Sequence, residues 1–92
     1  MPSVENDTEE GVEYTVEEGE GTSSFTFCVP LESGQTKELT LSNQYFNIFF
    51  YRKGSQGAQL ACRRRVHQDC SVRLHCPAPG RWEVDVRPAK AA

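Results

Sequence analysis

The chain is expected to be all-β: a small antiparallel β-sandwich of about seven short strands. Three observations predict it. Apolar residues recur with period two in several short runs, and Gly- and Pro-bearing breaks separate those runs at roughly eight to twelve residues. No stretch carries a 3.6-residue apolar period with caps at both ends. At 92 residues the chain makes one domain, small enough that hydrophobic burial alone leaves a thin margin of stability.

Residues 1–11, MPSVENDTEEG, are polar, acidic and free of aromatics, and are expected to be a flexible acidic tail; residues 12–92 then form the single sandwich domain. In VEYTV, residues Val12, Tyr14 and Val16 share one side, as a half-buried strand requires. EEGEGTSS reads as a turn, and FTFCVPL as the second strand, with Phe25, Phe27 and Val29 on one face and Thr26 and Cys28 on the other. KELTL sets Leu39 beside Leu41 and reads as a third strand.

YFNIFFYRK alternates Phe46, Ile48 and Phe50 against Tyr45, Asn47, Phe49 and Tyr51, so both faces are covered and the strand is expected at the centre of a sheet. After the GSQG turn, AQLAC and CSVRLHC read as two strands around a short connection. PAPG then turns the chain into RWEVDVRP, which points Trp82, Val84 and Val86 inward and Arg81, Glu83, Asp85 and Arg87 outward.

The net charge of −3 hides a division. Residues 1–34 carry Glu5, Asp7, Glu9, Glu10, Glu13, Glu17, Glu18, Glu20 and Glu32 with no Lys or Arg, whereas all 10 basic residues fall in 35–92, against Glu38, Asp69, Glu83 and Asp85. No run of 18 apolar residues is present to span a membrane as a helix. MPSVENDTEE shows neither a basic nor an apolar signal region, which fits a cytosolic protein or the mature part of a secreted one.

The densest chemistry lies in CRRRVHQDCSVRLHC, residues 62–76. As a metal site it is poor: the ligand-capable residues Cys62, His67, Cys70, His75 and Cys76 lack the closely paired spacing of structural zinc knuckles. Disulfides fit better. If CSVRLHC is a strand, Cys70 and Cys76 stand roughly 20 Å apart and cannot bridge each other. Two pairings remain, Cys62–Cys70 with Cys28–Cys76, or Cys28–Cys70 with Cys62–Cys76. The first is preferred, because it staples a hairpin at the base of RRRVHQD and ties an early strand to a late one, worth on the order of 4 kcal/mol for the longer loop. Free, buried thiols in a cytosolic protein are the other alternative.

A loop pinned at its base would thrust Arg63, Arg64 and Arg65 into solvent with Val66 as an apolar knob and His67 beside it. With the neighbouring turn of Tyr51, Arg52 and Lys53, these residues are the expected partner-binding surface, since arginine forks suit carboxylates, sulfates and phosphates. Catalysis finds no support: G-x-S-x-G and H-E-x-x-H are absent, His67 and His75 read as surface histidines, and Glu83 with Asp85 reads as a solvated face beside Arg81 and Arg87. The acidic N-terminal third argues against nucleic acid. Asn6-Asp7-Thr8 is a glycosylation sequon in the expected tail.

The ending PAPGRWEVDV resembles the last strand of immunoglobulin-like sandwiches, a likeness covering about ten residues that bears on fold alone. The expected function is a non-catalytic extracellular protein-binding module, an ectodomain or a secreted inhibitor or adhesion-type domain. Its partner would be another protein (a receptor, an adhesion partner or a protease), and no cofactor is expected. The alternatives are an intracellular accessory β domain of a larger protein with reduced, cytoplasmic cysteines, and a binder of heparin or a similar acidic polysaccharide.

Overall fold

The computed structural model describes residues 2–18, 24–54 and 57–88, with side chains given for all of these except 24–27, 53, 54 and 58. Eight strands follow one another: β1 (Ser3–Asp7), β2 (Val12–Glu18), β3 (Ser24–Leu31), β4 (Thr36–Glu38), β5 (Tyr45–Gly54), β6 (Gly57–His67), β7 (Cys70–Ala78) and β8 (Arg81–Pro88). They form two four-stranded sheets, ordered β4-β1-β7-β8 and β3-β2-β5-β6. Among the described residues there is no helix.

The core lies between the sheets and is supplied by both. Val12, Tyr14, Val16, Phe46, Ile48, Phe50 and Val66 come from one, and Val4, Val72 and Leu74 from the other. The period-two reading of 12–16 and 46–50 therefore names core residues correctly, and β5 is central, flanked by β2 and β6. Trp82, Val84 and Val86 pack against the core from β8. The Gly34 and Gly80 turns adopt positive φ (78° and 76°), where a side chain is strained. The expected inward placement of Phe25 and Phe27, and most of the EEGEGTSS and GSQG turns, lie outside the described residues or side chains.

The count is eight strands rather than about seven because the expected tail contains β1. Residues 3–7 pair antiparallel with β4 and parallel with β7, Val4 standing opposite Val72. The same parallel pairing departs from a wholly antiparallel sandwich. Alternation explains it: Val4 and Asn6 point inward and are fully buried. The polar Asn6 is tolerated there because every side-chain group is used. Its Nδ2 donates to the Glu10 carbonyl at 2.8 Å and the Leu31 carbonyl at 2.9 Å, while Oδ1 accepts from the Thr8 N–H at 3.0 Å and the Thr8 hydroxyl at 2.6 Å. The sequon asparagine is thus an interior strut, not an exposed tail residue.

The four cysteines are free, so neither the Cys62–Cys70 nor the Cys28–Cys76 bridge is formed. The reason is local. Residues 63–67 continue β6, the turn is only Gln68–Asp69, and the chain crosses there from one sheet to the other. Cys62 sits beside Phe50 and Cys70 beside Pro88, with Cys62 set roughly 16 Å back along its strand from the turn. Cys28 lies on the outer side of β3, its Sγ 3.4 Å from Thr15 Oγ1, and the exposed Cys76 donates to the Ala78 carbonyl at 2.9 Å.

Candidate binding surface

Outward residues of β5 and β6 build one continuous surface. Antiparallel register sets Tyr45 beside His67, Asn47 beside Arg65, Phe49 beside Arg63 and, past an irregularity in β6, Tyr51 beside Leu60. The Arg65 guanidinium carbon lies 4.9 Å from the centre of the Tyr45 ring, and that ring meets His67 edge-on at 5.1 Å. Tyr45 is 44% exposed and Leu60 56% exposed, the large apolar side chains left to solvent among the described residues. The Asp69 N–H donates to His67 Nδ1 at 3.1 Å, and the Asp69 carboxylate lies 3.6 Å from the same nitrogen.

The arginines therefore stand on a strand, not on a pinned loop, and alternate in direction. Arg63 and Arg65 share the outer face, whereas Arg64, beside Ile48, takes the core side at the sheet edge. Val66 is the opposite of an exposed knob: 2% exposed, it packs beside Phe46. Tyr51 belongs to the outer face, but Arg52 does not. Its guanidinium lies 4.9 Å from the Trp82 ring and 3.1 Å from the Glu10 carboxylate, in an open cleft of about 670 Å³ at one end of the domain. The side chain of Lys53 lies outside those described.

Charge sets β6 apart. Among the described residues, no carboxylate comes within ion-pair distance of Arg63, Arg64 or Arg65. The outer face of the other sheet is internally balanced instead. Arg73 lies 3.5 Å from Asp7 and 3.6 Å from Asp85, His75 lies 3.3 Å from Asp85 and 3.7 Å from Glu83, and Arg81 lies 3.1 Å from Glu83. His75 is largely covered rather than exposed, its side chain at 19%, and its Nε2 has electrostatic neighbours without a hydrogen bond. The sequence placed Glu83 and Asp85 correctly on one face but missed Arg73 and His75 across the strand pair; the shared parity of 73, 75, 83 and 85 was the available signal.

A groove of about 370 Å³ follows the gap between the last strands of the two sheets, lined by Cys62, Arg63 and Arg64 on β6 and by Trp82, Glu83, Val84 and Asp85 on β8. Burial pushes the Cys62 thiol from its ordinary 9.0 up to about 11, so at neutral pH it is a protonated packing group, not a nucleophile. No three His, Cys, Asp or Glu residues among those described are placed to hold a metal ion. No helix among them is long and apolar enough to cross a membrane. Neither a family model, a curated protein nor a solved structure significantly matches the chain.

Proposed function

We propose that this chain is a non-catalytic protein-binding module whose contact surface is the outer face of β5 and β6, with Arg63, Arg65 and His67 beside Tyr45, Phe49 and Tyr51. The observation that carries the reading is the uncompensated charge of β6: arginines without ion-pair partners among the described residues, in a chain of net charge −3. Arginine and tyrosine are enriched among residues that carry interface energy, and a paired strand leaves little backbone freedom to lose on contact. The partner is a protein with an acidic patch. An immunoglobulin-like assignment rests on the PAPGRWEVDV ending, which supplies the Pro79–Gly80 turn into edge strand β8.

The test is affinity capture with three proteins: wild type, R63E/R65E, and R81E/R87E as a control on the other sheet. The reading expects a set of bound proteins lost with R63E/R65E and kept with R81E/R87E. The same set bound by all three would overturn it. Retention on a heparin column that R63E/R65E abolishes, without any protein partner, would move the function to acidic polysaccharide. A second setting, an accessory domain of an intracellular protein, draws on the free thiols of Cys28, Cys62, Cys70 and Cys76, the state a reducing compartment maintains. The sequon adds nothing to an extracellular setting, because its Asn6 is an interior residue.

A further inference from the structure

We infer that β6 takes up an extended segment of the partner as an added strand, and that this segment alternates acidic with apolar residues. The inference deepens the protein-binding reading and rests on it. β6 ends its sheet, so its outer edge presents backbone N–H and C=O groups that no strand among the described residues pairs.

The other edges are guarded. β4 has 3 residues, β3 carries Pro30, which cannot donate, and the charged side chains of β8 are largely paired within their own sheet. β6 runs for 11 residues without proline. It is the edge on which strand addition has both length and donors.

Side-chain chemistry on the two sides of that edge selects the occupant. On the outer side stand Arg63 and Arg65 with no carboxylate partner among the described residues. On the inner side the groove between β6 and β8 has a floor of Cys62, Trp82 and Val84, which pack against the core, and a charged rim of Arg63, Arg64, Glu83 and Asp85, whose two carboxylates disfavour further acidic residues on this side. Successive residues of an added strand point alternately to these two sides. Carboxylates every second residue then meet Arg63 and Arg65, and the residues between them enter the groove. A second copy of this chain fits badly: antiparallel pairing of two β6 edges would bring the same arginine runs together, and like charges directly opposite are destabilising.

The experiment uses the full chain and two ten-residue peptides of alternating glutamate and valine, one of them N-methylated at every second residue so that one backbone edge cannot donate. Fluorescence anisotropy reads affinity, and hydrogen exchange reads the β6 amides. The inference expects the plain peptide to bind, to protect alternate amides within 57–67, to lose at least tenfold in affinity to R63Q/R65Q, and to weaken steeply with salt. N-methylation of the bonding edge should abolish binding. Circular dichroism of R63Q/R65Q confirms that it is folded.

Equal affinity for both peptides overturns strand addition while leaving an acidic partner at the arginine face. No binding by either peptide, with capture still lost in R63E/R65E, overturns the inference and keeps the module reading. No binding, together with self-association of R63Q/R65Q, also overturns it: the arginines would then be guards against edge pairing and nothing more. Loss of the capture result as well removes both.

Discussion

The side-chain amide of Asn6 donates to the main-chain carbonyl of Leu31 at 2.9 Å, so a residue of β1 in one sheet is tied to the end of β3 in the other. The same amide reaches Glu10, and its oxygen gathers both donors of Thr8. A single side chain thus satisfies four polar groups where water is excluded.

Replacing Asn6 by alanine should cost about 3 kcal/mol, because several buried donors and acceptors lose their partner at once. Thermal unfolding should fall by more than roughly 10 °C for a domain of this size. Aspartate is no rescue, since it trades a donor for a buried charge. A melting temperature unchanged in Asn6→Ala would show that this bond set is not made.

Glu18, 7% exposed on the core side of β2, accepts from the Ser42 N–H at 2.7 Å and the Asn43 N–H at 2.8 Å, fastening the chain between β4 and β5. Glu18→Ala should destabilise by about 2–3 kcal/mol in urea, as charge-assisted bonds to backbone are lost. Glu18→Gln keeps one acceptor oxygen and should recover part of that. Equal loss in both variants would point to packing instead.

The run RRRV offers a test of strand against loop. Alanine at Arg63 or Arg64 should shift stability by no more than about 0.5 kcal/mol, and at Arg65 by at most about 1 kcal/mol from the Tyr45 contact. Val66→Ala should cost about 2 kcal/mol, since Val66 is a core residue. Chemical denaturation of the series decides it: a neutral Val66→Ala is the behaviour of a loop knob.

Thiol reactivity should follow burial and acidity. With its pKa raised from 9.0 to about 11, Cys62 holds about a hundredfold less thiolate at pH 8 than an unperturbed thiol. Intact-mass time courses with iodoacetamide should label the exposed Cys28 and Cys76 first and Cys62 last. An immediate four-label product in the folded protein would contradict the packing of Cys62 beside Phe50.

The same shift sets a pH dependence with a definite sign. Below about pH 9 Cys62 is protonated folded or unfolded, and its contribution is fully present. Between about 9 and 11 the unfolded chain loses that proton while the folded chain retains it, so stability falls as pH rises. Tyr14, also pushed up by burial, adds loss of the same sign above its ordinary 10.0. Urea midpoints across this range should fall less in Cys62→Ala than in wild type.

What could be read from the sequence was whatever period two displays. Val12, Tyr14 and Val16, and Phe46, Ile48 and Phe50, announce their faces because each apolar residue has polar or aromatic neighbours of opposite parity. β1 does not, because its inward positions hold one apolar residue, Val4, and the polar Asn6, whose partners come from Thr8, Glu10 and Leu31. Arg63–Arg65 suggested solvent on every side, which an edge strand grants on both faces. The Cys62–Cys70 bridge failed for a topological reason: two strands joined by a tight turn were assumed to share a sheet, and β6 and β7 do not.

The parallel contact of Val4 with Val72 has a bearing on biosynthesis. A segment must wait for a partner that follows it by about seventy residues before that ladder can zip, which places folding among the slower, milliseconds-to-seconds topologies. In the interval the nascent chain is kept dispersed by its own carboxylates at Glu5, Asp7, Glu9, Glu10, Glu13 and Glu17, whose mutual repulsion discourages premature clumping.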